Sequence, residues 1–260
     1  MTTPSNLPTV LCISGHDPAG GAGIHADLEA VAAQGAHALT VITALTVQDS
    51  GNVYRVEPVA APLLVEQLQR LCADSQIAVV KLGLLGNAPQ VAVIANLLRQ
   101  LRVPVICDPV LRAGGGTDLA ANATVAALRA ELFPLIDLLT PNAAEARRLV
   151  PQATDLSSAA AALCAEGCRQ VLVTGGDEPG GSQVTNHWRM HNGELREFHW
   201  SRLPAAFHGA GCTLASAIAG RIAIGEDWAP AIEQAQRYTH TALSRACRTG
   251  RGRLIPRRSQ

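Results

Sequence analysis

The stretch FHGAGCTLASAIAG at residues 207–220 places a cysteine where a glycine-rich loop runs into an apolar helix. The backbone N–H groups of Gly209, Ala210, Gly211 and Cys212 can converge at the helix N-terminus, where the helix dipole favours a bound anion. A thiol in that field is expected to have a lowered pKa and to act as a base or nucleophile. The alternative is that Cys212 is only a small buried apolar residue.

A second glycine-rich segment, SGHDPAGGAGIHADL, spans residues 14–28. Three glycines in four positions before a helix let the backbone approach a ligand closely and offer N–H donors. The spacing is G-G-x-G and not the dinucleotide pattern G-x-G-x-x-G, so a dinucleotide site is only weakly indicated. A plain turn needs neither so many glycines nor the flanking Asp17 and Asp27.

Two further strand ends carry acidic residues. Asp108, in VICDPVLRAGGGTDL, ends a buried strand and either binds a metal ion or ligand or caps a turn. The glycines Gly114–Gly116 after it are expected to form a mobile loop over a ligand. In LLTPNAAEARRL, Asn142 and Glu145 have the spacing of a helix capping box, and the alternative is that Glu145 faces a metal–phosphate group.

Length and composition indicate a globular protein and disfavour some classes of partner. The chain has 260 residues, is 48% hydrophobic and has a formal net charge of zero. This length fits one large α/β domain over residues 1–260, and the charge gives no electrostatic case for nucleic acid or an anionic membrane. The basic end, RTGRGRLIPRRSQ, is expected to be solvated.

The cysteines, apolar runs and N-terminus indicate a cytoplasmic protein. Seven cysteines, at positions 12, 72, 107, 164, 168, 212 and 247, are scattered and odd in number, as expected for reduced thiols. No zinc-ligand spacing accompanies Cys164 and Cys168. The stretch MTTPSNLPTV is unlike a signal peptide, and no uncharged apolar run is long enough to span a membrane.

The only lysine is Lys81, and the P-loop pattern G-x-x-x-x-G-K-[ST] is absent from the sequence. Phosphate chemistry in this chain must therefore rely on backbone N–H groups, arginine or a metal ion. A GC-rich genome is the alternative explanation of the lysine shortage, and it leaves this constraint unchanged.

Apolar runs typical of buried strands alternate with helical patterns along the chain. The runs TVLCISG, ALTVITALTV, IAVVKLG, VPVICD, LIDLLT and QVLVTGG predict strands. Helices are predicted between them, the first with Ile24, Leu28, Val31 and Ala32 on its buried face. His191-Asn192-Gly193 predicts a late hairpin, followed by helices near 210–225 and 227–247.

This alternation predicts a three-layer α/β/α fold with a mostly parallel central sheet and helices on both faces. Ligands of such sheets bind where the strands end, which is where the four segments above lie.

Taken together, these segments resemble the ribokinase-like superfamily, and more narrowly the hydroxymethylpyrimidine and phosphomethylpyrimidine kinases of thiamine biosynthesis. The resemblance runs from ISGHDPAGGAGIHADLEA and VITALTVQDS through KLGLLG, CDPV and TPNAAEA to HGAGCTLASAIA. Where the wider superfamily carries aspartate, this chain has Cys212, as pyrimidine kinases and a related group of pyridoxal kinases do.

The resemblance implies a role for each matched residue. Cys212 becomes the candidate base, with Gly209, Ala210 and Gly211 lining the anion hole, and Asp108 and Glu145 belong to a Mg²⁺–phosphate environment. The implied pyrimidine-contacting or pocket-lining residues are Gly15, Ala22, Asp27, Thr46, Gln48, Leu84 and Val110. Asn142, Thr174 and Gly175 fall on the ATP side. The amide of Gln48 can both donate to and accept from an aminopyrimidine edge.

Two departures concern positive charge. Many relatives have KGGH where this chain has TGGD, so Thr174 replaces a lysine, and many have a lysine in the segment that reads AGGG here. Losing both charges weakens ATP binding or slows transfer, or else defines a branch that uses Arg112.

The implied activity is ATP-dependent phosphorylation of 4-amino-5-hydroxymethyl-2-methylpyrimidine, and then of its monophosphate, by a protein that forms a homodimer. The open alternatives are a pyridoxal kinase and a pyrimidine-binding regulatory protein that has lost kinase activity, with a dehydrogenase as a more distant one.

Overall fold

A computed structural model describes residues 7–259, and in that range nine strands form a single sheet. The strands are β1 (Thr9–His16), β2 (His37–Gln48), β3 (Val53–Pro58), β4 (Ile77–Leu82), β5 (Val105–Cys107), β6 (Leu138–Leu139), β7 (Gln170–Val173), β8 (Gln183–Met190) and β9 (Leu195–Ser201). Their spatial order is β3-β2-β1-β4-β5-β6-β7-β8-β9.

The middle of the sheet is parallel and its edges are antiparallel. β2, β1, β4, β5, β6 and β7 pair in parallel, whereas β3 and the β8–β9 hairpin pair antiparallel. The hairpin turns at Gly193 with φ +87°. The predicted α/β/α fold with a late hairpin is confirmed, and the carboxyl ends of the parallel strands share one edge.

Eight α-helices cover the two faces within the described residues. They are α1 (Gly23–Ala33), α2 (Ala61–Asp74), α3 (Ala88–Leu101), α4 (Asn122–Ala127), α5 (Ala143–Leu149), α6 (Leu156–Ala165), α7 (Ala210–Ala223) and α8 (Trp228–Ser244). A π-helical turn, Leu128–Leu132, continues α4, so the helix predicted near 120–132 changes type half way.

Alternate residues of each strand feed two separate apolar cores, because strand side chains alternate between faces. In β1, Leu11 and Ile13 pack with helices α2 to α6, whereas Val10 and Cys12 pack with α1, α7 and α8. Helices on both sides thus hold the sheet in the middle layer.

One prediction of local structure is wrong, and one strand was missed. Leu28 was expected on the buried face of α1 but is 41% exposed, and Asp27 is buried in its place. β3 was not predicted, since its apolar residues are few and it lies at the edge of the sheet, where Tyr54 is exposed.

Within residues 7–259 no helix is both long enough and apolar enough to traverse a bilayer. The signal-peptide prediction depends largely on the first six residues, which lie outside the described range.

Candidate functional site

A cavity of about 800 Å³ opens at the carboxyl edge of the sheet. Strand-end residues from β1 to β7 line it, together with the loop that enters α7. Of the predicted site residues, the cavity contacts Gly15, Ala22, Thr46, Gln48, Leu84, Asp108, Val110, Arg112, Asn142, Glu145, Thr174, Gly209, Ala210, Gly211 and Cys212. Asp27 and Gly175 do not line it.

The two glycine-rich loops touch each other where they line this cavity. Gly209 has φ +85° and precedes α7, and a Cβ there would collide with the carbonyl of Gly21. Asp17 Oδ2 accepts from the N–H groups of Gly21 (3.0 Å) and Ala22 (2.8 Å), and it lies 2.8 Å from His208 Nε2. Asp17 thus fixes both loops relative to each other.

The first turn of α7 presents free donors to the cavity. Thr213 N–H bonds Gly209 O at 3.0 Å, while the N–H groups of Ala210, Gly211 and Cys212 have no partner in the described part of the chain. Helices leave their first N–H groups unpaired, so this turn can bind an anion. A Cβ on Gly211 would lie 3.4 Å from both carboxylate oxygens of Asp108.

The environment of Cys212 differs from the expected one. Cys212 is only 7% exposed. Burial, and then the charges of Asp108 and Asp27, raise the pKa of the thiol above its usual value, although Lys81 and the Gly23 N–H act in the opposite direction. The prediction of a lowered pKa is therefore wrong for the protein without ligands, because desolvation outweighs the helix terminus.

Asp27 belongs to a buried ionic cluster behind the cavity. Its Oδ1 accepts from Lys81 Nζ at 2.7 Å and from Ser216 Oγ at 2.6 Å, and both charged side chains are fully buried. Burial alone would lower the pKa of Lys81, but Asp27, Cys212 and Asp108 outweigh it and raise that pKa. Asp27 thus holds Lys81, and it does not itself line the cavity.

Asp108 and Glu145 are two buried acids on the cavity wall, 4% exposed each. Burial raises the pKa of Asp108, and burial together with the charge of Asp108 raises the pKa of Glu145. Two neighbouring carboxylates suit a divalent cation. The described residues contain no cluster of three or more His, Cys, Asp or Glu able to hold a metal, so water or ligand oxygens would have to complete the coordination.

Glu145 also forms the capping box that its spacing predicts. Its Oε2 accepts from Asn142 N–H at 3.1 Å, and Glu145 N–H donates to Asn142 Oδ1 at 2.9 Å. Its other oxygen, Oε1, accepts from Leu111 N–H at 3.2 Å. Both carboxylate oxygens therefore accept backbone N–H groups, and these two bonds link the loop after Asp108 to the start of α5.

The wall opposite Gln48 is built from β6, β7 and α5. Thr174 N–H donates to Pro141 O at 2.9 Å, which places Thr174 beside Asn142. Asp177 accepts from the first N–H groups of α5, those of Ala143 (3.0 Å) and Ala144 (2.9 Å). Gly175 instead donates its N–H to Asn186 Oδ1 at 3.0 Å.

Apolar side chains contribute to the other end of the cavity. Leu84 and Val110 line it, and a Cβ on Gly15 would lie 2.8 Å from Leu84 Cδ2. Thr46 Oγ1 is already bonded to His16 O at 2.8 Å. The Gln48 amide, by contrast, has no partner among residues 7–259 and lines the cavity. It is free to bind the edge of a ring.

The basic end of the chain is not simply solvated, which corrects that prediction. Arg258 is 2% exposed, and Arg253 lines the cavity beside Gly114. Arg251 and Arg257 are exposed as expected. A charge run says nothing about which of its members the fold will bury.

Sequence reasoning missed several residues that build the site. Lys81 was noted only as the single lysine, and His208, Asp177, Arg253 and Arg258 were not singled out. The one usable signal was Lys81 itself, a charge inside the apolar run IAVVKLG. A charge inside a buried strand needs a buried partner.

Comparison with known proteins identifies relatives of this chain. The model of the phosphomethylpyrimidine kinase family matches residues 17–256. The hydroxymethylpyrimidine/phosphomethylpyrimidine kinase of Streptomyces coelicolor is 35% identical over 259 residues, covering 96% of this chain and 94% of that protein. A probable thiamine biosynthetic bifunctional enzyme of Oryza sativa is 36% identical over 243 residues, covering 91% of this chain but 44% of the rice protein. The chain thus spans about half the length of that bifunctional relative.

Among solved structures, an ADP complex of Bacillus subtilis pyridoxal kinase superposes with a TM-score of 0.88 at 23% identity. The superposition covers 97% of this chain and 98% of the Bacillus subtilis kinase. At that identity the likeness shows the shared ribokinase-like fold and does not bear on the substrate.

Proposed function

Because this chain belongs to the phosphomethylpyrimidine kinase family, we propose that it transfers the γ-phosphoryl group of ATP to 4-amino-5-hydroxymethyl-2-methylpyrimidine and then to the resulting monophosphate. The observation that carries this proposal is the cavity, whose floor joins the free N–H groups of α7 to Cys212 and Asp108. Phosphoryl transfer needs alignment and charge stabilisation more than covalent help from the protein.

The acceptor pyrimidine is proposed to bind at the end of the cavity that Leu84 and Val110 line. The unpartnered amide of Gln48 donates to and accepts from its edge, while Leu84 and Val110 contact its apolar face. Gly15, Ala22 and Thr46 complete this end of the cavity. The exocyclic hydroxymethyl group then points toward Cys212 and the first turn of α7.

The nucleotide is proposed to bind at the opposite end, beside Asn142 and Thr174. The N–H groups of Ala210, Gly211 and Cys212 stabilise the charge that develops on the transferred phosphoryl oxygens. Asp108 and Glu145 are proposed to hold Mg²⁺, which when bound neutralises phosphate charge. The raised pKa of each acid fits this role, since a cation would stabilise both carboxylates.

Cys212 is proposed as the acceptor of the hydroxyl proton. Only the thiolate can accept it, and burial opposes the thiolate. Lys81 and the Gly23 N–H are the described groups that favour it. Asp27 holds Lys81 in place, although its own charge opposes the thiolate.

The experiment that tests the function is ATP turnover, with Mg²⁺, on a panel of hydroxymethylpyrimidine, its monophosphate and pyridoxal. We expect turnover of the two pyrimidines and a much lower kcat/KM for pyridoxal. Preference for pyridoxal would replace the proposal with a pyridoxal kinase. Tight pyrimidine binding without turnover of any acceptor would instead indicate a regulatory protein.

We further propose that residues 1–260 act as one kinase domain, that the protein works in the cytoplasm and that it forms a homodimer. Seven free thiols support the location. Near the end of β2, Leu45 and Val47 are 51% and 50% exposed, which suits contact with a second copy. Light scattering on wild type and on Leu45→Glu tests the dimer: a wild-type monomer would contradict it.

A further inference from the structure

Positively charged side chains stabilise bound phosphate groups alongside backbone N–H groups, and lysine does not provide that charge in this cavity. The single lysine, Lys81, is fully buried against Asp27 and does not line the cavity. The arginines that do line it are Arg112, Arg202 and Arg253.

Two of these three arginines are already engaged by the protein. Arg112 Nε donates to Gly116 O at 2.6 Å and lies 3.9 Å from Asp118. Arg202 Nη1 donates to Gly176 O at 3.1 Å. The guanidinium of Arg253 has neither a hydrogen-bond acceptor nor a carboxylate partner anywhere in residues 7–259. Its five donors are available to a ligand.

The backbone holds Arg253 at the acceptor end of the cavity. Arg253 N–H donates to Ser50 O at 2.9 Å, just beyond Gln48. The next residue, Leu254, accepts from His208 N–H at 2.9 Å, immediately before Gly209. The side chain of Arg253 reaches the loop of Gly114–Gly116, because a Cβ on Gly114 would lie 2.6 Å from Arg253 Nη1. Arg253 therefore lies between the end that suits the pyrimidine and the loop that enters the anion site.

From this placement we infer that Arg253 binds the phosphate of the acceptor monophosphate and thereby selects for the second phosphorylation. The inference rests on the proposed function. A guanidinium pairs with phosphate through two parallel hydrogen bonds. The hydroxymethyl acceptor of the first phosphorylation is neutral and offers no such partner, so Arg253 distinguishes the two acceptors.

The test compares Arg253→Gln with wild type on both acceptors at saturating ATP and Mg²⁺. Arg251→Gln, an exposed position in the same segment, is the matched control. The ratio of KM for the monophosphate to KM for the alcohol should rise about 10- to 100-fold in Arg253→Gln, as expected for loss of a charged hydrogen bond. The control should keep the wild-type ratio, and Arg253→Lys should lie between the two.

An unchanged ratio, or a rise confined to the KM for ATP, overturns the inference. Measuring the affinity for the monophosphate by calorimetry, without ATP, tests the inference about Arg253 separately from the proposed function. If wild type turns over neither acceptor but binds the monophosphate, the function fails while Arg253 is still tested. Equal affinity in wild type and Arg253→Gln, or no binding by wild type, then overturns the inference as well.

Discussion

Arg258 donates from Nε to Thr213 Oγ1 at 2.8 Å, which ties the end of the chain to the first turn of α7. The same guanidinium donates to Gly21 O and, at 3.1 Å, to Glu29 Oε2. Thr213 Oγ1 in turn donates to Gly209 O at 2.7 Å. One buried side chain thus supports both glycine-rich loops from behind.

Arg258→Ala should therefore destabilise the fold. It leaves the Gly21 carbonyl without this donor inside the protein, at a cost of about 1–3 kcal/mol for each buried group left unsatisfied. Its exposed neighbour provides the control, since Arg257→Ala should change stability by less than about 0.5 kcal/mol. Urea unfolding measures both. Equal stability of the two variants would show that the guanidinium contacts contribute nothing.

Lys81 and Asp27 are predicted to be stabilising only as a pair. Lys81→Met leaves a buried carboxylate without its cation and should cost about 3–5 kcal/mol. Lys81→Met combined with Asp27→Asn removes both charges and should recover part of that loss. Denaturant unfolding of the two single variants and the double variant measures their coupling. Additive losses would contradict an interaction between them.

Asp17 should make stability depend on acid pH. Although burial alone would raise its pKa, the hydrogen bond and charge of His208 and the N–H groups of Ala19 and Ala22 lower the pKa of Asp17 below its usual value. A carboxylate with a lowered folded pKa stabilises the protein above its unfolded pKa, and that stability is lost as the pH falls through the folded pKa. Wild type should thus exceed Asp17→Asn in stability at neutral pH, and the gap should close below about pH 4.

Unfolding curves between pH 3 and pH 7 measure this gap. Asp74→Asn, at an exposed acid on the far end of α2, is the control and should show little pH-dependent difference from wild type. A gap for Asp17→Asn that stays constant over the whole range would mean that ionisation of Asp17 is not what stabilises the loops.

Glu145→Gln separates a capping role from a metal role. Both carboxylate oxygens accept backbone N–H groups, from Asn142 and Leu111, and a glutamine has only one oxygen to offer. The variant should thus lose about 1–3 kcal/mol of stability without metal. If Glu145 also helps to hold Mg²⁺, the Mg²⁺ concentration for half-maximal activity should rise as well. A Mg²⁺ titration that overlays wild type would leave only the cap.

The sequence predicted the parts of this fold that depend on neighbours in the chain. The strand–helix alternation, the hairpin at Asn192-Gly193 and the capping box of Asn142 and Glu145 all follow from local patterns. The buried face of α1 could not be predicted in this way, because the buried Asp27 pairs with Lys81, which lies 54 residues away in the sequence. Arg253 and Arg258 are likewise positioned by segments far from them in the sequence.

The pKa of the Cys212 thiol at the start of α7 likewise depends on residues that are distant in the sequence. Sequence alone indicated the helix terminus, which lowers a thiol pKa, but not the burial and the acidic neighbours that raise it. Those neighbours, Asp108 just after β5 and Asp27 in α1, are distant in sequence from Cys212, so only the assembled fold reveals which effect is larger.

Cys212 provides the most direct test of the proposed chemistry. General-base catalysis contributes about 10²–10⁴-fold, so Cys212→Ala and Cys212→Ser should lower kcat by that order with little change in acceptor KM. Cys212→Asp should retain more activity than Cys212→Ala, because a carboxylate supplies a base that Lys81 can stabilise from behind. Steady-state kinetics of the three variants measures this, and thermal melts check that each one folds. Wild-type turnover in Cys212→Ala would mean that the thiol is only packed at the helix terminus, and that the α7 N–H groups and the bound cation suffice for transfer.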